Sequence, residues 1–273
     1  MNDSSDSDED VLQTQSNYHQ ITEDPTVLKY FTPKEQTEDL CLFAVRGDWR
    51  VLAYVQNQTR RMCEAAVWQD GNALCFVHNQ TEEICFEAVT TNSEALWFVK
   101  NKTKEICLAA VNECGLSLQY VDESIEGYQE ICVAAVRKNG LALQYVRICD
   151  DYKTVAIEAV RQTIHALRFV RGRTEDLLEI CLEAIKKDPC AIQYSRDLLS
   201  DEHYHTAALE AVKIDGWHLA HIKDKTLEIC LEAVKQNYRA LNYVRDPDMR
   251  EICKQIIKGT RFLKTKPARS EKD

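Results

Sequence analysis

The amino-acid sequence predicts an all-α protein: an α-solenoid of nine tandem two-helix repeats of 22–27 residues plus a partial C-terminal capping repeat. Three observations predict it. One motif returns at nearly constant spacing, which is typical of repeat proteins. The apolar residues inside the motif follow a helical period rather than a two-residue alternation. The 273 residues include only 8 glycines and 5 prolines, too few for a turn-rich β protein.

The repeat is anchored on an alanine that is followed by fixed columns. A valine or isoleucine comes one residue after the anchor, a leucine or isoleucine eight after, and an aromatic residue ten after, with His221 as the exception. A tenth, incomplete copy surrounds Ile256. The anchors are Ala44, Ala66, Ala88, Ala110, Ala135, Ala159, Ala184, Ala211 and Ala233.

Each copy contains two short apolar segments, which we interpret as helices A and B. Helix A is apolar four and three residues before the anchor, at the anchor and one after it, and helix B spans about two turns. An aspartate or asparagine separates them, and a glycine such as Gly71 often follows, which predicts a left-handed end of helix A. Threonines that we expect to cap helix A stand at Thr37, Thr59, Thr81, Thr103 and Thr226. Helices shorter than ~12 residues are marginal alone, so stacking of neighbouring copies must form the core.

Longer copies hold extra residues, which we expect in the loops between helix B and the next helix A. The stretch RDLLSDEHYH, residues 196–205, is the longest of them.

Eight of the twelve cysteines occupy one column, three residues before the anchor. Two copies carry Ala156 and Ala208 there, so the column accepts a small apolar residue, which is how buried cysteine behaves. Packed helices lie about 8–10 Å apart, whereas a disulfide needs Cα atoms within ~7 Å. We therefore predict buried free thiols and no disulfides. The column is Cys41, Cys63, Cys85, Cys107, Cys132, Cys181, Cys230 and Cys253.

The predicted domain organisation is a repeat domain over 34–263, preceded by a disordered acidic tail and lead-in over 1–33 and followed by a basic tail over 264–273. Ser5 and Ser7 each precede an acidic residue three positions on, a pattern that predicts phosphorylation. No apolar run approaches the ~18 residues of a membrane span, and the first residues do not resemble a signal peptide. We expect an intracellular, cytoplasmic protein without membrane contact.

Two kinds of surface residue are candidates for binding. A basic strip lies twelve residues after the anchors, and Trp68 and Trp97 fall in variable columns where interface aromatics are found. Cations two residues after the anchors have a glutamate three positions before them in four copies, so we expect them to be neutralised. The net charge of −10 argues against general affinity for nucleic acid. The basic strip is Lys100, Arg147, Arg171, Arg196, Lys223 and Arg245.

Histidines concentrate in one copy, as His203, His205, His218 and His221. A metal site needs ligands that converge, but the first two are expected in the long loop and the last two in helix B. The sequence also lacks a phosphate-binding glycine loop, a nucleophile elbow and an HExxH pair. We therefore predict no metal, cofactor or catalytic residue, and no enzyme activity.

The copies EICVAAVRKNGLALQYV and EICLEAVKQNYRALNYV resemble a short-helix tandem repeat family of unknown function with a core like eivlaAVkqnGlaLqya. The resemblance covers about 38–258 and departs at His221 and at Asp188-Pro189. This family is common in giant DNA viruses, protists and some bacteria, so the resemblance implies the host cytoplasm or the virion if the chain is viral. It implies no activity and no site residues.

The leading hypothesis is a non-enzymatic scaffold that binds a protein partner, because the core columns are fixed while the outward positions vary. The alternative is nucleic-acid binding along the basic strip. A third hypothesis is an enzyme with a metal at the histidine-rich copy, which metal analysis of the purified protein would test.

Overall fold

The computed structural model describes residues 5–147, 151–172 and 174–264, with side chains described for 13–147, 151–172 and 176–258. Helices make up 76% of the structure, and no strand occurs in these ranges. The all-α repeat fold predicted from the sequence is confirmed. The chain divides into two compact units, Met1–Lys138 and Asn139–Asp273, which are described separately.

Unit 1 alternates α-helices with six-residue 3₁₀ helices. Its α-helices stack in series and so do its 3₁₀ helices, which gives an α layer and a 3₁₀ layer. The α-helices are α1 (Ser5–Glu23), α2 (Glu38–Gly47), α3 (Arg60–Gln69), α4 (Glu82–Thr91), α5 (Lys104–Glu113) and α6 (Tyr128–Lys138). The 3₁₀ helices are η1 (Pro25–Tyr30), η2 (Trp49–Tyr54), η3 (Gly71–Phe76), η4 (Ser93–Phe98) and η5 (Gly115–Tyr120).

Unit 2 has the same two layers, with one irregular copy in which a short 3₁₀ turn continues into an α-helix. Its α-helices are α7 (Tyr152–Gln162), α8 (Thr174–Lys187), α9 (Ile192–Ser195), α10 (Asp201–Ile214), α11 (Leu227–Gln236) and α12 (Pro247–Lys264). Its 3₁₀ helices are η6 (Gly140–Tyr145), η7 (Ile164–Phe169), η8 (Pro189–Ala191), η9 (Gly216–His221) and η10 (Tyr238–Tyr243).

Helix A of the predicted repeat is thus an α-helix, and helix B is a 3₁₀ helix of two turns. The aspartate or asparagine between them joins the two. The backbone N–H of Asp70 donates to the carbonyl of the anchor Ala66 at 3.1 Å, and its side chain accepts from Asn72 N at 2.9 Å. This residue therefore ends one helix and caps the next. Asp48, Asn92, Asn139, Asp188, Asp215 and Asn237 cap their 3₁₀ helices in the same way.

The glycine after this cap serves close approach rather than a left-handed conformation, so that detail of the prediction was wrong. Positive φ occurs only at Gly127 and Gly172 among the described residues. A Cβ added to Gly71 would overlap the carbonyl oxygen of Ala88, the anchor of the following copy. Gly140 and Gly216 face the carbonyls of Ala159 and Ala233 in the same way.

The threonine caps of helix A are confirmed in three of five places. Thr81, Thr103 and Thr226 accept from the N–H three residues on, at 3.3–3.4 Å. Thr37 forms no such bond, and Thr59 Oγ1 is buried without a partner. The cap is therefore a local aid and not the feature that defines each helix.

The N-terminal segment corrects the expectation of disorder over 1–33, because residues 5–30 are helical. Here Asp24 N donates to Gln20 O at 2.9 Å and the Asp24 side chain accepts from Thr26 N, which is the cap found in the other copies with aspartate or asparagine at this position. Ile21 and Leu28 are buried at the places of the repeated valine and leucine. The segment is a divergent copy with glutamine at its anchor. The side chains of Ser5 and Ser7 lie outside the described residues. So does the basic tail 264–273, apart from the backbone of Lys264.

The long loop expected over 196–205 is shorter than predicted. Ser200 caps α10, accepting from His203 N at 3.4 Å, so His203 and His205 lie in the first turns of a 14-residue helix. The expectation that these two histidines sit in a loop was wrong because the extra residues lengthen helix A instead.

Glutamines that the sequence analysis passed over tie neighbouring copies together in unit 1. Gln58 Nε2 donates to Leu52 O at 3.1 Å and to Phe76 O at 2.8 Å, and its Oε1 accepts from His78 N at 2.9 Å. Gln80 repeats the pattern one copy later, and Gln36 one copy earlier. The last carbonyls of a 3₁₀ helix lack partners within the helix, so these amides satisfy them.

Tyrosine performs the same role in unit 2. Tyr152 Oη accepts from Arg171 N at 3.0 Å and donates to Phe169 O at 3.3 Å. Tyr204 Oη accepts from Lys223 N at 3.2 Å. The backbone after η7 and η9 is thus held by a tyrosine of the same copy, as the backbone after η2, η3 and η4 is held by a glutamine.

Replacing the close-approach glycines is expected to destabilise the protein. Gly71→Ala and Gly216→Ala should each lower the free energy of unfolding by ~1–3 kcal/mol, because the added methyl group meets a backbone carbonyl that cannot rotate away. Gly47→Ala is the control, since its Cβ would meet only a ring atom of Pro25 at 3.3 Å. Urea unfolding measures all three, and equal stability of Gly71→Ala and wild type would contradict the packing argument.

The glutamine bridge gives a second test. Gln58→Glu keeps the shape of the side chain but removes the two N–H donors, leaving Leu52 O and Phe76 O facing a carboxylate. We expect a loss of ~1–3 kcal/mol, the usual range for partly buried groups left without partners. Gln193→Glu is the control because Gln193 is exposed and forms no hydrogen bond within the described residues. If the two variants unfold at the same urea concentration, the bridge contributes nothing.

Candidate interaction surface

The structure places the two candidate tryptophans of unit 1 on different layers. Trp68 lies near the end of α3 and is 75% exposed, beside a surface cavity that Arg46, Arg61 and Glu87 help to line. Trp97 lies in η4 and is 66% exposed. The two side chains therefore belong to separate surfaces and not to one site.

Trp97 is held in place by the repeat. Its ring packs edge-on against Tyr120 of the following copy, with ring centroids 5.7 Å apart. Ring contacts between copies also join Trp49 to Phe76 in unit 1, with tilted rings, and His165 to Tyr194 and Trp217 to Tyr243 in unit 2, with edge-on rings. In these four copies the aromatic residue ten positions after the anchor supports a ring from the copy before, so the 3₁₀ layer presents ordered aromatic side chains.

The basic strip keeps several available cations in unit 2. Arg171, Lys223 and Arg245 are exposed and form no ion pair within the described residues. Arg196 is different, because it pairs with Asp201 at 2.8 Å and Asp224 at 2.5 Å and lies over the ring of Tyr204. In unit 1, Lys100 Nζ donates to His78 O at 3.2 Å. Arg147 is exposed, and it interacts with a neighbouring group.

The second set of cations is neutralised as predicted. Arg161, Lys186, Lys213 and Lys235 each contact the glutamate three residues earlier, at 2.6–3.4 Å. Arg161 also pairs with Glu183 of the following copy at 2.8 Å. These four cations are therefore less available to an anionic ligand than unpaired ones.

The cysteine column is a packing element. All eight of its thiols are buried, at most 4% exposed, and the eleven cysteines of the described residues are free. Burial raises the pKa of Cys41, Cys107, Cys181 and Cys230 to about 11. A thiol with a raised pKa is a poor nucleophile at neutral pH, which agrees with a packing role for these four cysteines.

The histidines divide into two groups. His205 lies in α10 and contacts Thr226 Oγ1 at 3.3 Å and Glu228 at 3.5 Å. His203 Nδ1 is buried without a partner. His218 and His221 lie together in η9, with ring centroids 5.9 Å apart, and burial lowers the pKa of His218.

A cysteine outside the repeated column joins the second group. Cys190 in η8 places its Sγ 3.7 Å from His218 Nδ1, and ligand atoms of Cys190, His218 and His221 all lie within 4.8 Å of one another. The sequence analysis missed Cys190, since nothing in a linear spacing of 28 residues indicates this contact. No other group of metal-ligand side chains converges in this way within the described ranges.

These features define the class of the molecule as an all-α helical repeat protein with buried thiols and exposed aromatic side chains. Residues 103–148 and 207–250, about a third of the chain, match the family model described as "Domain of unknown function (DUF4116)". The match occurs twice, in agreement with the predicted resemblance to a repeat family of unknown function. No curated protein and no solved structure matches the chain. No described helix is long and apolar enough to cross a membrane.

The raised thiol pKa values predict a pH dependence of stability. A pKa that is higher in the folded chain than the ordinary 9.0 means that the folded state holds the proton more tightly. The contribution of these thiols to the free energy of unfolding is therefore complete below pH 9.0 and is lost as pH rises towards about 11. Alanine already occupies this column at Ala156 and Ala208. We therefore expect that a variant with alanine at Cys41, Cys107, Cys181 and Cys230 loses less free energy of unfolding over this pH range than wild type. Urea unfolding of both proteins across this range measures it, and parallel declines would contradict the assignment.

Proposed function

We propose that the protein is a non-enzymatic repeat scaffold whose exposed aromatic side chains bind a protein partner. The observation that supports this proposal is the exposure of large apolar rings in columns that vary between copies. Interfaces are enriched in aromatic residues, and tryptophan, tyrosine and arginine supply most of their binding energy. The fixed columns already account for the core, so folding does not require these rings at the surface.

The two surfaces of unit 1 suit different contacts. Trp97 is supported by Tyr120, so its ring loses little conformational freedom when a partner covers it. Trp68 lies among charged side chains of both signs, including Arg61 and Glu64, which would form the polar rim around a buried ring. A partner that covers either ring gains apolar burial without disturbing the stack of copies.

Nucleic-acid binding is the second candidate function, and Arg171, Lys223 and Arg245 in unit 2 favour it. Their side chains are exposed, and two of their backbone segments are held by Tyr152 and Tyr204. The net charge of −10 opposes it, because the field of the whole chain repels phosphate. We rank this candidate second for that reason.

We propose that the protein acts in the cytoplasm of its own cell. If the chain comes from a giant virus, the setting is the host cytoplasm or the virion. The resemblance to repeats common in such viruses supports it.

The test of the scaffold is a pair of substitutions that the repeat itself supplies. Trp68→Asn and Trp97→Gln introduce residues found in those columns in other copies, Asn112 and Gln119, so both variants are expected to melt like wild type. Affinity purification from the native cell, followed by mass spectrometry, should recover a stoichiometric partner with wild type. At least one variant should bind the purified partner about 10-fold more weakly, because interface hot spots contribute ~2 kcal/mol or more. Equal binding by both variants would remove these surfaces from the proposal.

The nucleic-acid alternative is tested separately with purified protein and mixed-sequence single-stranded oligonucleotides. Binding that falls steeply with salt and weakens when Arg171, Lys223 and Arg245 are changed to glutamine would favour it. Absence of binding at low salt would remove it.

A further inference from the structure

Two histidines of unit 2 depart from the repeat at the same point of the fold. His218 occupies the column seven residues after the anchor, where six other copies have alanine, and His221 occupies the aromatic column. Both histidines belong to the copy anchored at Ala211, and both face the copy before it. The change at His218 does not improve packing, because a half-buried imidazole loses solvation that an alanine does not need.

The 3₁₀ geometry explains why the two rings lie together. Such a helix has 3.0 residues per turn, so side chains three positions apart are eclipsed. His218 and His221 therefore stand one above the other on η9. In the preceding copy, Asp188 caps the short helix η8 by accepting from Cys190 N at 2.9 Å, and this fixes the backbone that carries the thiol. The cap and the 3₁₀ turn together direct one sulfur and two imidazoles to a common point.

The distances suit a small metal ion. With a bond of about 2.3 Å to sulfur and about 2.0 Å to nitrogen, a tetrahedral ion separates those two ligands by about 3.5 Å. Cys190 Sγ and His218 Nδ1 are 3.7 Å apart. The largest separation in the group, within 4.8 Å, involves side chains that are not fully buried and can close on an ion by rotating.

The chemistry of the donors selects the ion. One thiolate with two imidazoles is a borderline-soft set, which favours zinc over calcium or magnesium.

We propose that Cys190, His218 and His221 bind one Zn²⁺ ion, with a solvent molecule as the fourth ligand. On binding, the thiol of Cys190 releases its proton to solvent and the sulfur donates to the metal. The ion joins the copy anchored at Ala184 to the copy anchored at Ala211. At this place the short 3₁₀ helix η8 continues into α9, so the ion would link the irregular copy to the copy that follows it.

The experiment uses the full-length chain, purified without chelator and then stripped and reloaded. Elemental analysis should find one zinc per chain, and Co²⁺ added to the stripped protein should give the thiolate-to-cobalt charge-transfer band. Zinc reloading should also raise the melting temperature. Loss of a residue that hydrogen-bonds to a metal ligand weakens metal binding by ~10–100-fold. Loss of a ligand itself should have a larger effect, which we expect for Cys190→Ser, His218→Ala and His221→Tyr. The two histidine variants restore residues usual in their columns, so they are expected to fold.

Cys75→Ser is the matched control, because Cys75 is the exposed cysteine of the described chain and lies in unit 1. It should keep full zinc affinity and the cobalt band. Zinc that is absent from wild type, or held equally by all three ligand variants, would overturn the proposal. None of these measurements depends on a protein partner, so the result is independent of the scaffold function.

Discussion

The carbonyl group of the anchor alanine is the constraint on which each layer depends. It accepts the N–H of the aspartate or asparagine that ends the α-helix, as Ala66 O does from Asp70 N. In three copies it also meets a glycine of the copy before, as Ala88 O meets Gly71. One backbone atom thus sets where the α-helix ends and how closely the preceding copy approaches. The nine anchor alanines are all fully buried.

A stack of short helices creates many helix ends, and each end leaves carbonyl groups without partners. The protein satisfies several of them with side chains of the same copy, through Gln58 and Gln80 in unit 1 and Tyr152 in unit 2. Tyr204 instead accepts the N–H of Lys223 after its 3₁₀ helix. Side chains of the α-helices add contacts of this kind, since Gln69 Nε2 of α3 donates to Val45 O of the preceding copy at 2.7 Å. The cysteine column is buried between the α-helices, so its thiols need no reactivity to recur.

The repeated columns were enough to predict the fold, because a periodic apolar pattern of this length has few other solutions. They did not distinguish a 3₁₀ from an α-helix for the second segment, since six residues satisfy either pattern. The copy around Gln20 escaped detection because a polar residue replaces its anchor and an acidic stretch precedes it. The position of His203 was misjudged because Ser200 adds a turn to α10. The contact of Cys190 with the two histidines could not be predicted from sequence spacing, because it depends on how two neighbouring copies stack.

The change from glutamine to tyrosine coincides with a change in copy length. Gln58 and Gln80 lie in the connection before the α-helix, and their copies begin 22 residues after the preceding one. Tyr152 and Tyr204 instead lie within α7 and α10, in copies that are 24 and 27 residues apart from their predecessors. Because the tyrosine hydroxyl is carried by the α-helix itself, the connection before that helix does not need a fixed length. Copies of the tyrosine type are therefore the natural hosts for inserted peptides, whereas a glutamine copy would lose its register if its connection grew.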